Sequence, residues 1–596
     1  MRTLFKVLAA VALTTAAPGC SSFLDVNNNP NSATSATADQ LLAQALATTA
    51  GNYTGNNPSY NSYASWVASY WGKTGVVSGY GEELTYNYSS SYYAGLFANT
   101  YDNLNDYALI QQQSALTAYP YHAAVARIMK AYNFQLLVDE YGDIPYTQAL
   151  LGLAGSTTPK YDKAQDIYDD LIKQLDGAIA DINATTAAAK PPTFVPRALG
   201  AEDIVFGGGA TALIRWKQFA NSLKLRILLR ESQTGDASRN AAVAAQLATL
   251  QSSAAAAVGT GSSLDGFITA DVVVQPGYTN QGSTQQNPLY TRYAYTSAGT
   301  NATERSYQLP TDYILKQYSI NNDPRLSQLY APGLLYTPGA TPTDQVSTYI
   351  GAIPGEANSP GFNSPVTTDA PISGSRFRGT NGTSTSGGII KGLNAPTAIM
   401  LLSEHLFSKS EAEARGLFTE GDGQAKTDFN NGIKASFIYY YRAATTTNAT
   451  INASVLDGST AAGVTQYDSY LASNTTNGLV NWDVNTTNLP ATYDPRNATA
   501  YVALATPRVI ATKQEKIIYQ KYLALNSIAS VEAWSDYRRT GFPKLPASIQ
   551  SGIAAGTRAD RLPTRLLYPL TEINTNNANI PTGTSTTTKI FWDFLD

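Results

Sequence analysis

A chain of 596 residues with 43% hydrophobic side chains has ample material for a large core, and its length would allow about four average domains. Only 14% of the residues are charged, against roughly a quarter in ordinary soluble proteins, so amides and hydroxyls dress the surface instead. A net charge of −4 excludes the basic footprint of a nucleic-acid binder, and a single cysteine excludes an intrachain disulfide or a cysteine-built zinc cage.

In chain order, Arg2 and Lys6 precede an apolar run from Val7 to Ala17, and Pro18 and Gly19 lead into Cys20. This is the layout of a secretory signal over residues 1–19, cut before a cysteine, and Cys20 is the expected lipidation site. The box Ala17-Pro18-Gly19-Cys20 lacks the leucine usual at its start. Residues 20–36 are a polar tether with almost no periodicity. After Cys20 no apolar stretch reaches the roughly 18 residues of a bilayer-spanning helix, so the membrane link is the lipid.

A first helix is predicted from Thr37 to Ala50, with Leu41, Leu42, Ala45 and Leu46 at helical spacing. Residues 51–95 are rich in aromatics and broken by glycine, and read as a long loop or a pair of short elements. Behind Pro120 the run to Tyr141 puts Ala124, Ile128, Tyr132 and Leu136 on one face. Residues 162–182 carry a buried stripe of Ile167, Leu171, Leu175, Ile179 and Ile182, with Asp162 and Gln165 as a capping box. Further helices are predicted over about 211–231 and 237–256. Residues 257–395 turn to Gly, Pro, Thr and Ser, a loop-rich insertion with a few short strands. Helices resume at 396–416, 424–443, 513–526 and 528–540, with irregular chain over 444–512 and 541–596.

The expected architecture is therefore mainly α: helical pairs of the tetratricopeptide kind, with long irregular insertions and few strands. Residues 37–256 form its N-terminal helical part and 396–596 the C-terminal part of the same domain.

The composition holds 39 tyrosines against 17 phenylalanines and 6 tryptophans. A buried phenol needs a partner for its hydroxyl, so this excess predicts many half-buried or exposed rings, suited to stacking on sugars.

Several segments together resemble one family. FLDVNNNPNSATSATADQLLAQAL (23–46) is followed by DEYGDIPYTQAL (139–150) and TPKYDKAQDIYDDLIKQLDGAI (158–179). RWKQFANSLKLRILLR (215–230), SEHLFSKSEAEARGLF (403–418), NNGIKASFIYYY (430–441), EAWSDYRRTGFPKL (532–545) and RLPTRLLYPLTEIN (561–574) follow in order. The chain resembles the SusD/RagB outer-membrane lipoproteins of the Bacteroidetes, and its start is similar to the second SusD-like subgroup; residues 257–395 match nothing specific. The resemblance implies a surface-exposed lipoprotein that captures a glycan, or sometimes a peptide, as the lid of a TonB-dependent (SusC-like) barrel. It implies neither a cofactor nor catalysis.

The residues offer no strong catalytic motif. Glu82, Glu83, Asp139, Glu140 and Asp143 are the carboxylates a glycosidase would draw on, but adjacency in sequence does not place two across a cleft. His122 and His405 have no metal-ligand spacing, and no metal site is expected. FGGGAT (206–211) lacks the end of a phosphate loop and reads as a flexible start of a helix. EGDGQAKTD (420–428) has oxygen ligands without EF-hand spacing, which leaves calcium open. Arg538 and Arg539 beside Trp534 and Tyr537 would suit an acidic sugar; their place in the family pattern makes them part of the scaffold.

The expected ligand residues are Trp66, Tyr70, Trp71, Tyr80, Tyr86 and Asn87, among Glu82 and Tyr88, and a second group, Tyr290, Arg292, Tyr293 and Tyr295, in the segment 275–297. Rings supply stacking while amides and the guanidinium fix orientation. The two segments are expected to meet in one shallow platform. The competing readings are a surface α-helical polysaccharide-degrading enzyme, or capture of a non-glycan such as a peptide.

Overall fold

The computed structural model describes residues 36–114, 119–189, 193–259, 265–337, 345–356, 359–361, 372–379, 381–382, 387–444, 461–496 and 501–593. The signal segment, Cys20 and nearly all of the tether lie outside them.

The N-terminal half is a succession of packed helices: α1 (Ala38–Tyr53), α2 (Tyr60–Val67), α3 (Gly81–Thr85), α4 (Gly95–Ser114), α5 (Pro120–Tyr141), α6 (Ala164–Ala188), α7 (Gly209–Arg230) and α8 (Ala237–Val258). Helix α1 packs on α4, and α4 through α8 each pack on the next. The insertion adds α9 (Pro288–Tyr293), α10 (Asp312–Ile320) and α11 (Arg325–Leu329). The C-terminal half supplies α12 (Leu402–Ala414), α13 (Gly421–Tyr441), α14 (Val464–Ser473), α15 (Lys513–Leu525), α16 (Ser530–Thr540) and α17 (Leu570–Thr575). Helices α12 and α13 pair, α15 lies on both, and α16 joins α15 to α2. The main hydrophobic core runs from Ala38 to Trp592 and takes in residues of the insertion, and a second cluster of Phe407, Phe429, Ile433, Phe437, Tyr470 and Ile517 fills the space between α12, α13, α14 and α15.

Strands are short and mostly paired two by two. β1 (Trp71–Lys73) runs antiparallel to β5 (Gln308–Pro310), β2 (Ile144–Pro145) to β3 (Tyr161–Asp162), and β4 (Val272–Val274) to β6 (Thr397–Met400). The one larger sheet among the described residues holds three strands: Gly333–Tyr336 between Gln345–Thr348 and Ile372–Ser373.

Three expectations are corrected. First, α6 is not capped by Asp162, which lies in β3 and accepts from the N–H groups of Tyr146 (3.0 Å) and Thr147 (2.7 Å). Asp143, from the preceding segment, accepts from Ala164 N–H (2.9 Å) and pairs with Lys163 (2.8 Å). Second, α12 begins at Leu402 because 397–400, TAIM, pairs as a strand with Val272–Val274. Third, α8 is long and apolar enough by composition to cross a membrane. Its apolarity is largely that of alanine, and its stripe of Val243, Leu247, Leu250 and Val258 is buried in the helical array. The glycines at 207–209 fit the expected helix start: all three have positive φ, and a Cβ on Gly208 would stand 2.6 Å from the carbonyl oxygens of Leu199 and Gly200.

The helices are tied by buried charges, all but Lys521 drawn from the segments that carry the family pattern. Arg226 on α7 donates to Glu404 on α12 (2.8 Å) and pairs with Glu532 on α16 (3.2 Å). Arg230 bonds both Asp139 on α5 and Glu532. Arg538 reaches Glu140 (3.0 Å), and Arg539 grips Glu411 with two bonds (2.5 and 2.7 Å) while Lys521 pairs with Asp536 (2.8 Å). All of these side chains are buried. Arg538 and Arg539 are thus scaffold, and low-dielectric surroundings make each pair directional glue rather than a ligand site.

The tyrosine expectation is met only in part, since about a third of the rings are half-buried and none is exposed. Every tyrosine is buried or half-buried, most of them buried. The reason is backbone left open at helix ends, at a strand bulge and in loops: its carbonyls lack a partner in their own element, and phenols reach them. Tyr132 donates to Ile399 O (2.9 Å), Tyr318 to Leu523 O (2.9 Å), Tyr522 to Ala68 O (2.7 Å) and Tyr568 to Asp143 O (2.7 Å). Phenylalanine would fill the same space but leave those oxygens unpaired.

Candidate functional site

Residues 66–93 and 288–308 are brought together by the β1–β5 ladder, in which Trp71 faces Pro310 and Lys73 faces Gln308. The Trp71 ring meets Tyr293 edge-on at 4.8 Å. The two segments do meet, as expected, but most of the expected rings are the joint rather than the surface. Tyr70, Trp71, Tyr86, Tyr290 and Tyr293 are all buried, and this corrects the picture of an exposed platform. Their polar atoms are engaged internally. Tyr70 donates to Tyr522 O (2.6 Å) and Trp71 Nε1 to Ser527 Oγ (2.8 Å), while the Tyr86 and Tyr290 hydroxyls accept from Ser548 N–H (3.0 Å) and Gly382 N–H (2.7 Å).

What remains at the surface is narrower. Tyr80, Arg292 and Tyr295 are half-buried and Asn87 is exposed. Trp66, another expected ligand ring, is also buried (7% exposed) and backs the Tyr80 ring at 4.8 Å. Arg305 covers the Tyr295 ring at 4.5 Å. A polar hub organises the group. Glu304 Oε2 accepts from Tyr80 Oη (2.7 Å) and Gln308 Nε2 (2.6 Å), and Oε1 accepts from Arg292 (3.1 Å). Arg292 also donates to Tyr293 Oη (3.2 Å). Burial pushes Tyr293 up to about 12 and holds Tyr80 above its ordinary value, with Glu304 adding to the latter. Burial opposes the charge on Arg292, but Tyr293 and Glu304 together raise it.

Two features mark this junction as more than packing. Among the described residues eight non-glycine residues have positive φ, and four of them, Ser69, Tyr80, Tyr86 and Tyr93, fall within 25 residues. Strained backbone of this kind is retained where the surroundings hold it, commonly at ligand sites. Glu83, half-buried on α3, is pushed up to about 7 by burial and then by the carboxylates of Glu82 and Glu304. It changes charge near neutrality, which suits a group that donates or accepts according to its partner. Glu83, Glu304, Arg305 and Gln308 were not among the expected ligand residues. Glu304 and Arg305 stand in a short polar run, TERS, whose relation to Tyr80 exists only in the folded chain.

The other chemistry that the sequence raised is accounted for elsewhere. Asp139 and Glu140 belong to the buried charge network, and Glu82 accepts from Ser89 N–H (2.8 Å). His122 lies 2.9 Å from Glu202, and burial pushes His405 down to about 3. In the segment 420–428, Asp422 pairs with Lys513 and Asp428 lies 3.3 Å from Lys409, so these oxygens already have cationic partners. Among the described residues no group of three or more His, Cys, Asp and Glu is placed to hold a metal. A cleft of about 710 Å³ is walled by Phe97, Tyr101, Leu109, Leu150 and Leu151, and its carboxylate, Glu572, is bonded by Tyr161. Its apolar lining offers little to a polyhydroxylated ligand.

Comparison with known proteins gives a consistent result. The SusD-like 2 family, described as "Starch-binding associating with outer membrane", matches residues 30–569. No curated protein matches the chain. Among solved structures the chain is similar to a chitin-binding protein, with 22% identity, a TM-score of 0.62, and coverage of 94% of this chain and 99% of that one. It is similar to a SusD homologue from Bacteroides uniformis (22%, TM-score 0.62, 93% and 99%) and to a SusD-like protein from Bacteroides thetaiotaomicron (21%, TM-score 0.62, 93% and 98%). At these identities the structures share the fold.

Proposed function

The chain belongs to the SusD-like family of starch-binding proteins that associate with the outer membrane, and from that premise we propose that it is a nutrient-capturing lipoprotein of the cell surface. It holds a glycan at the junction around Tyr80, Arg292, Tyr295 and Asn87 and delivers it to a TonB-dependent, SusC-like barrel for which it is the lid. Cys20 carries the lipid that keeps it at the membrane.

The observation that carries this reading is the family match over residues 30–569. The junction supports it from below: a half-buried Tyr80 ring backed by Trp66, and a guanidinium fixed by Glu304. Sugars are bound by such sets, with rings against their apolar faces and forked donors on their hydroxyls.

A hydrolase reading has one observation in its favour, since a carboxyl raised to about 7 beside a second carboxylate is the acid half of a glycosidase pair. Against it, both Glu304 oxygens are already bonded by Tyr80, Gln308 and Arg292, which leaves that carboxylate unsuited to attack or to activate water. The reading is tested by affinity electrophoresis of the full chain through gels containing starch, chitin derivatives and other neutral polysaccharides. Retention that Tyr80→Ala and Arg292→Ala weaken supports it; retention that neither changes places the site elsewhere.

A further inference from the structure

A second cleft, of about 610 Å³, opens between the C-terminal half of α1 and the loop 276–288. It is within the size range of small-molecule sites, roughly 300–1,000 Å³. None of the residues that line it is charged. Its walls carry the amides of Gln44, Asn56, Gln281, Gln285 and Gln286, together with Tyr278 and three threonines. Side-chain amides both donate and accept, as sugar hydroxyls do, whereas a cleft without fixed charge gives an anion or cation nothing to offset its lost hydration.

The cleft is built, not a gap between mobile side chains. The loop closes on itself through Thr279 N–H to Gln285 O (2.8 Å). It is fastened to the neighbouring chain by Asn287 Nδ2 to Ala395 O (2.8 Å) and by Tyr278 Oη with Thr397 Oγ1 (3.2 Å). Gln286 is 2% exposed, and its Nε2 donates to Asn280 Oδ1 (2.8 Å). Its Oε1 is buried with no hydrogen-bond partner. A buried acceptor left open in this way costs free energy unless a ligand or water donor reaches it. On the other wall Gly51 admits Asn56: a Cβ there would stand 2.6 Å from Asn56 Nδ2.

We infer that this cleft is a second carbohydrate-binding site, selective for neutral oligosaccharides, separate from the junction around Tyr80. The inference rests on the glycan reading above, and it adds a second place where a neutral glycan is held.

The test is calorimetric titration of the full chain with maltoheptaose and chitohexaose as neutral probes and an oligogalacturonate as the anionic comparison. The variants are Gln281→Ala/Gln285→Ala, both residues exposed, and Tyr80→Ala at the junction, with urea midpoints measured to confirm folding. The expected result is two binding components for a neutral probe. The paired glutamine variant loses one of them by at least tenfold and Tyr80→Ala keeps it, while the anionic probe does not occupy the cleft component. The inference is overturned if the paired variant leaves affinity and stoichiometry unchanged while Tyr80→Ala abolishes binding, an outcome that spares the glycan reading. It is also overturned if the anionic probe fills the cleft as well as the neutral ones do. If neither neutral probe binds the wild type, the glycan reading and this inference fall together.

Discussion

Glu83 shows how much of a site depends on surroundings that a single residue does not announce. In sequence it is one of two adjacent glutamates, indistinguishable from a solvated helix start. In the fold, burial and then Glu82 and Glu304 lift it to about 7 from an ordinary value of 4.5. Because the fold favours the neutral form, its contribution to stability is present below about pH 4.5 and is lost as pH rises through about 7. Glu83→Gln mimics the neutral form, so its urea midpoint should match wild type at pH 5 and exceed it at pH 8. A gap that does not change with pH would contradict the assignment. The tyrosines make the opposite point. Their number was visible, yet its meaning was legible only in part, because the carbonyls that Tyr132, Tyr318 and Tyr522 satisfy lie hundreds of residues away in several cases. Of the expected ligand rings, Tyr70, Trp71 and Tyr293 have the composition of a sugar platform and the burial of a core.

At the level of elements, periodicity was a good guide wherever the buried stripe is aliphatic. The helices at 120–141, 209–230, 237–258, 513–525 and 530–540 stand close to their predicted spans. Helix α4 was not singled out. Its buried face alternates Leu96, Thr100, Leu104, Tyr107 and Ile110, so polar and aromatic residues of low helix propensity hide the stripe. Helices α10 and α14 were lost for the same reason, each sitting in chain that reads as loop. The predicted local cap of α6 at Asp162 does not form, because Asp143 caps that helix from 21 positions upstream. Asp143→Ala removes that cap and the Lys163 pair, and should cost about 0.5–2 kcal/mol. The check is denaturant unfolding beside Asp162→Ala. A neutral Asp143→Ala with a destabilised Asp162→Ala would return the capping role to Asp162, although Asp162 also holds the Tyr146–Thr147 turn.

For the whole molecule, the segments that identify the family are those that supply the buried charges. Asp139 and Glu140, Arg226 and Arg230, Glu404 and Glu411, and Glu532, Asp536, Arg538 and Arg539 come from four separate motifs and converge between α5, α7, α12 and α16. Such a pattern is legible as a family and illegible as a fold, since nothing in the sequence says which charges pair. The network carries a prediction. Glu411 is fully buried, and after paying its desolvation it is held down at about 2 by the Arg539 fork and by Arg415. Its stabilising contribution is present above about pH 4.5 and is lost as pH falls through about 2. Glu411→Ala leaves Arg539 buried without its main partner and should destabilise the fold by about 3–5 kcal/mol. A loss below 1 kcal/mol in urea unfolding would mean that the network is not what holds α12 to α16.

The two proposed sites share one ligand chemistry, uncharged and hydroxyl-rich, and at the junction both Glu304 oxygens are already bonded by Tyr80, Gln308 and Arg292. The most direct test is therefore retention of the full chain in native gels cast with neutral polysaccharides, with reducing ends counted in every gel that retains it. The account predicts retention by at least one neutral glycan, weakened by Tyr80→Ala, with no rise in reducing ends. Release of oligosaccharides that Glu83→Gln abolishes would contradict it and make the protein a hydrolase.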